Sequence, residues 1–162
     1  MKYWTGIGSR ETPQEIGELM SKISVKLEEL GYILRSGGAP GADTYFAEKI
    51  KNKEIFIPWQ SFGEGIVPKE TEFAHDLLKE VHPAYIRLSK GALKLHLRNV
   101  NQVLGEDLNT PSQFLICWAK TAKGEPIGGT RTAWKIAEKY NIPRFNLSIE
   151  EDYNRVVKLI EL

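Results

Sequence analysis

Cysteine occurs once in the 162-residue chain, at Cys117, and histidine only three times. A single thiol excludes an intramolecular disulfide, and no group of cysteines and histidines has the spacing of a zinc site. Neither a structural metal nor a resident cofactor is expected. No apolar run approaches the roughly 20 residues that span a bilayer, so a membrane partner is not expected. The opening MKYWTGIGSR lacks the long apolar core of a secretory signal, which points to a cytoplasmic location. Excess charge is missing too: 22 Lys and Arg stand against 21 Asp and Glu, a formal net charge of +1. A polyanion must therefore be met by a local basic patch. With no internal repeat, low-complexity tract or linker, the length fits one domain over residues 1–162.

What the sequence does contain is an alternation of short apolar runs with amphipathic segments, the pattern of a parallel sheet covered by helices. The first strand is predicted at Tyr3 to Gly6. Thr12, Pro13 and Glu15 then read as a capping box with proline at the first helical position, and Ile16, Leu19, Met20, Ile23, Leu27 and Leu30 recur at helical spacing up to Gly31. YILRS, GADTYFAEKIKNK and EIFIP read as strand, helix and strand, completing a βαβαβ unit. WQSFGEGIVPKE has no periodicity and reads as a loop. TEFAHDLLKEV and KGALKLHLRNVNQVLG read as helices separated by HPAYIRLS. QFLICWA is a buried fourth strand, GGTRTAWKIAEKYN a glycine turn opening a helix, and PRFNL a fifth strand. SIEEDYNRVVKLIEL closes the chain as a helix capped by Ser148 and Glu151. The expected fold is a three-layer Rossmann-like α/β domain, a mainly parallel five-stranded sheet with helices on both faces.

Ligands of such sheets bind outside the carboxyl ends of the strands. Three polar turns, GIGSR, SGGAPGAD and GGTRTA, are predicted at strand ends on that edge. Glycine lets the backbone approach a ligand, and the helix start that follows offers free amides and a partial positive charge, which suits phosphate. Gly8, Gly37, Gly38, Ala39, Gly41, Gly128 and Gly129 supply that backbone. Ser9, Ser36 and Thr130 add hydroxyls, and Arg10 or Arg131 a guanidinium fork. Asp43 suits a ribose hydroxyl and equally a cap on its own helix. SGGAPGAD is not the Walker phosphate loop, nor is the first turn the dinucleotide fingerprint.

These turns, with FIPW closing the third strand, resemble the SLOG superfamily, which includes DNA-processing protein A and the lysine-decarboxylase-like LOG proteins. The resemblance runs from Gly6 to about Leu147 and is greatest to small single-domain DprA-like proteins of phage and bacteria. It implies a Rossmann-like domain that binds a nucleotide or nucleotide-derived ligand at the edge carrying the three turns. Related folds commonly form homodimers or higher homo-oligomers. The LOG-type hydrolases carry a glutamate where this chain has Ala133, so their N-glycoside cleavage lacks its carboxylate here unless Glu125 or another acid substitutes. No counterpart of the domains that full-length DprA proteins carry around the core is expected within residues 1–162.

In LHLRNVNQVLG, Arg98 and Gln102 share a helical face with Asn99 and His96 nearby, opposite a Leu93, Leu97, Val100 and Leu104 stripe. This mixture is read as contacts to a sugar or base. Trp59 and Trp118 fall at strand ends, where an indole either stacks on a base or covers the sheet, while Trp4 and Trp134 are expected in the core. His82 and His75 read as structural, and Cys117 as an inert core thiol. The leading expectation is a binder of a nucleotide-type ligand. Single-stranded DNA, with Lys49, Lys51, Lys53, Lys90 and Lys94 as candidate contacts, is one alternative, and N-glycoside hydrolysis with an altered acid is another. Whether the ligand is turned over stays open.

Overall fold

Alternation of side chains along the two central strands sorts the helices into two layers. In the computed structural model, which describes residues 1–161, the elements run β1 (Lys2–Gly8), α1 (Gln14–Glu29), β2 (Tyr32–Ser36), α2 (Ala42–Ala47), β3 (Lys53–Ile55), α3 (Glu72–Val81), α4 (Lys90–Leu104), β4 (Leu115–Trp118), β5 (Thr121–Ala122), β6 (Glu125–Pro126), α5 (Thr130–Lys139), β7 (Arg144–Asn146) and α6 (Glu150–Glu161). Five parallel strands form one sheet in the order β3-β2-β1-β4-β7. The chain therefore winds outward from β1 to β3, then returns to lay β4 on the other side of β1. Trp4 and Ile116 point to one face, where α1, α2 and α6 cover them with Met20, Ile23, Phe46 and Val156. Ile7, Leu115 and Cys117 point to the other, against α3, α4 and α5. Period-two alternation thus divides one sheet between two cores. This is the expected Rossmann-like architecture.

Several local expectations need correction. Neither predicted capping box forms. Pro13 is the residue before α1 and supplies no side-chain cap, while the Thr12 hydroxyl donates to Ser9 O at 2.7 Å. The Ser148 hydroxyl likewise turns to Ala119 O at 2.7 Å. The helix expected over residues 41–53 stops at Ala47. Beyond it the Glu28 carboxylate accepts the Lys51 and Asn52 amides at 2.8 and 2.7 Å, drawing the chain toward β3. The aperiodic segment after β3 is tied to the sheet by reciprocal bonds, Ile57 N to Ile66 O and Ile66 N to Ile55 O. A β5–β6 hairpin intervenes before α5, unforeseen because two-residue strands carry no periodicity. Its turn places Lys123 and Gly124 both at positive φ, as a tight hairpin turn requires.

Candidate functional site

The reversal of winding between β1 and β4 opens a cleft at the carboxyl ends of these strands, where open α/β sheets hold their ligands. It encloses about 470 Å³ and is walled by the turn after β1, residues of the turn after β2, the mid-section of α4, and the start of α5. Gly8, Ser9, Arg10, Ala39, Asp43, Arg98, Asn99, Gln102, Gly128, Gly129 and Thr130 all line it. The three polar turns converge as expected, although they are not equivalent.

The first turn is built tightly. A Cβ on Gly8 would lie 2.5 Å from Trp118 O, so this residue fits only because it has no side chain. Ser9 N donates to Trp118 O at 2.9 Å, and the Ser9 hydroxyl accepts from Glu11 N at 2.9 Å. That bond leaves the hydroxyl proton free to donate. Arg10 is exposed and enters no ion pair among the described residues, whereas neighbouring Glu11 reaches Lys120 at 3.4 Å.

The second turn departs from the expectation of a phosphate cradle. The Ala39 amide donates to Asp43 Oδ2 at 3.1 Å, and the Ala42 amide to Ser9 O at 3.2 Å. Two of its amides are therefore engaged within the chain, and Asp43 braces the turn ahead of α2 without capping that helix. Gly41, at φ +87°, sits so close to the first turn that a Cβ would meet Ser9 O at 2.5 Å. Gly38 faces Ile55 and Ile57 instead of the cleft. Gly37 lies against the Gln102 amide, with Asp43 Oδ2 and Arg98 Cζ beside it. Ser36 is fully buried, its hydroxyl without a partner. The stretch serves to lock β2, α2 and the first turn together.

The third turn is more open. Gly128 has φ +74°, and a Cβ there would meet nothing within 4 Å. Arg131 and Thr132 amides close back on the carbonyls of Gly128 and Gly129. The Gly129 and Thr130 amides precede them at the positive end of α5.

The sequence pattern turns Arg98 toward a ligand, yet it is only 7% exposed. Its Nε donates to Phe56 O at 3.0 Å, Nη1 to Leu95 O at 2.9 Å and Asn99 Oδ1 at 2.5 Å, and Nη2 to Gly37 O at 3.3 Å. Asn99 in turn donates to Gly129 O at 3.2 Å. The pair joins β3, the second turn, α4 and the third turn into one floor. Burial is the main force lowering the Arg98 pKa, and Asp43 opposes it. Burial likewise raises the Asp43 carboxyl, against the pull of Arg98 and of the Ala39 amide. Asp43 Oδ1 has no hydrogen-bond partner.

The tryptophans do not stack over the cleft. Trp118 shares its orientation with Ile116 and packs into the α1–α6 layer, because alternation along β4 sends it to the opposite face. Trp59 meets Phe62 edge-on at 5.9 Å, outside the cleft wall. The apolar lining comes instead from Ile7, Leu95 and Ile127, the last 47% exposed at the rim. His96, noted in the sequence only as a neighbour, lines the cleft, with Nδ1 2.8 Å from Thr132 Oγ1. The ring of His82 meets it edge-on at 4.5 Å, so His82 is not a lone histidine. Burial, with His82 and Arg98 nearby, lowers the His96 pKa to about 4, which leaves it neutral near pH 7. Ala133 is buried in the core, and Glu125 pairs with Lys135 at 3.2 Å and Arg131 at 3.6 Å. Asp43 and Glu11 are the carboxylates of the cleft wall.

No family model matches the chain, and no curated protein matches it in sequence. Among solved structures, it is similar to DNA processing protein A from Helicobacter pylori, whose structure was described for its single-stranded DNA binding mode. The likeness has a TM-score of 0.61 over 99% of this chain and 80% of that one, at 16% sequence identity. At that identity what the two proteins share is the DprA-like, Rossmann-like fold.

Proposed function

We propose that the chain binds single-stranded DNA, seating one nucleotide in the cleft at the β1–β4 reversal. The phosphate is received by the Arg10 guanidinium, the Ser9 hydroxyl and the first amides of α5, and the base rests against Leu95 and Ile127. Arg10 carries the reading: it is an exposed cation without an ion-pair partner among the described residues, set at the rim of a cleft in a fold that a DNA-binding protein shares. Arg98 and Asn99 shape the floor, since their donors are largely engaged. A free nucleotide is a second reading, favoured by the cleft itself, whose roughly 470 Å³ falls within the ~300–1,000 Å³ of small-molecule sites. The N-glycoside hydrolase alternative has less support, because Ala133 and Glu125 bring no acid to the cleft, and of its two carboxylates Asp43 braces the Ala39 amide while Glu11 pairs with Lys120.

Fluorescence anisotropy with a labelled oligo(dT) at several salt concentrations tests the proposal. Binding should weaken steeply with salt, and Arg10→Ala should reduce the log–log slope by about 0.7. Saturable binding of nucleoside monophosphates with no oligonucleotide binding at low salt would select the second reading. No response to either ligand refutes both.

A further inference from the structure

On the other side of Arg98 from the cleft lies a second hollow, formed by the segment after β3 together with α3 and α4. Arg98 borders both hollows. Their chemistry differs. The second encloses only about 70 Å³. That exceeds the roughly 10–15 Å³ a single water needs and falls far below the ~300 Å³ of a small-molecule site, so it suits a phosphate and excludes a nucleoside. Three cations line it, Lys69, Lys94 and Arg98, against one carboxylate, Glu70. Glu70 is already engaged with the His75 ring at 3.2 Å. Lys69 and Lys94 enter no ion pair among the described residues, and what sets them apart from the other unpaired lysines is that they line this recess. Two free ammonium groups beside a small recess, next to a cleft of nucleotide size, make a connected track.

We infer that this recess is a second phosphate subsite, in which Lys69 and Lys94 hold the phosphodiester adjoining the nucleotide seated in the main cleft. The inference rests on the DNA-binding reading above and adds the direction of the strand, which crosses α4 over Arg98 toward α3. Of the lysines read from the sequence as DNA contacts, Lys94 belongs to this track. Lys53 does not, since its ammonium donates to Ala47 O and Ile50 O at 2.8 and 3.0 Å.

The test compares wild type, Lys69→Ala/Lys94→Ala and a control on the far helices, Lys22→Ala/Lys158→Ala, for binding of oligo(dT), the dinucleotide pTpT and dTMP. With the one phosphodiester that the two lysines hold released, the salt slope for oligo(dT) should fall by about 0.7, the value per phosphate of single strands. Affinity for pTpT should fall as well, with dTMP and the control unchanged. An unaltered slope overturns the subsite, as does an equal loss of affinity for dTMP, which would assign the lysines to the main cleft. If wild type binds dTMP but neither DNA ligand, the subsite and the DNA reading fall together. Competition by inorganic phosphate that is lost only in the Lys69/Lys94 variant, without any change toward DNA, would instead mark a free-anion site and overturn the subsite.

Discussion

Replacing Arg98 by methionine is the sharpest perturbation of the cleft floor, because it keeps an apolar stem while removing the guanidinium. Four hydrogen bonds vanish, to Phe56 O, Leu95 O, Asn99 Oδ1 and Gly37 O, and Asp43 loses its neighbouring cation. Removing one member of a buried charge pair costs about 3–5 kcal/mol, out of the ~5–15 kcal/mol by which a domain is stable. We expect a loss of about 3–5 kcal/mol at pH 7. The loss should also depend on pH. Burial already holds the Asp43 carboxyl above its usual value, and Arg98 counteracts it. A carboxyl raised in the folded state contributes full stability below the unfolded value and loses it as pH rises through the folded one. Without Arg98 the folded value rises further, so the deficit of Arg98→Met is smaller at pH 4 than at pH 7. Adding Asp43→Asn should return part of it. Urea titration followed by tryptophan fluorescence, with linear extrapolation at both pH values, measures wild type and both variants. A deficit below about 1 kcal/mol, or one that neither pH nor Asp43→Asn relieves, refutes a charge-paired floor.

Two further predictions concern the frame around the site. Gly41→Ala brings a methyl to 2.5 Å from Ser9 O at φ +87°, whereas Gly31→Ala, at φ +88°, meets nothing within 4 Å. The second should show only the backbone penalty of about 1–2 kcal/mol, and the first considerably more; equal shifts in Tm would show that the turns do not interlock. Cys117 is fully buried, with its thiol pushed upward chiefly by burial. A thiol-labelling assay at pH 8 should therefore find no reactive group until urea unfolds the chain, and prompt labelling of the native protein would contradict the placement of β4.

Long periodic elements are legible in the sequence because their signal is intrinsic to one segment. The 3.6-residue spacing of α1 and α4, the YILRS strand and the apolar run of β4 each announce themselves without reference to the rest of the chain. The convergence of the three turns is legible too, since parallel winding places every strand end on one edge. What escapes depends on partners distant in sequence. Thr12 and Ser148 are ordinary cap residues whose hydroxyls are claimed by Ser9 O and Ala119 O. Arg98 and Asn99 look like ligand contacts until carbonyls from three other segments are brought beside them. The orientation of Trp118 follows from strand parity, which can be counted from Ile116. His96 can be weighed against His82, yet nothing local says that a residue 14 positions away packs on its ring.

The β5–β6 hairpin stands apart from the interlocked floor. It is a two-rung insertion whose side-chain ties to the body include the surface ion pairs of Lys120 and Glu125, and it leads directly into Ile127 at the rim. A lineage that alters the buried floor must repair the fold at the same time, but one that lengthens, shortens or recharges this hairpin changes only what the ligand meets on arrival. Descendants of this scaffold can therefore diversify in ligand choice while inheriting the same interior, and a library randomised over the exposed residues 121–124 should remain mostly folded.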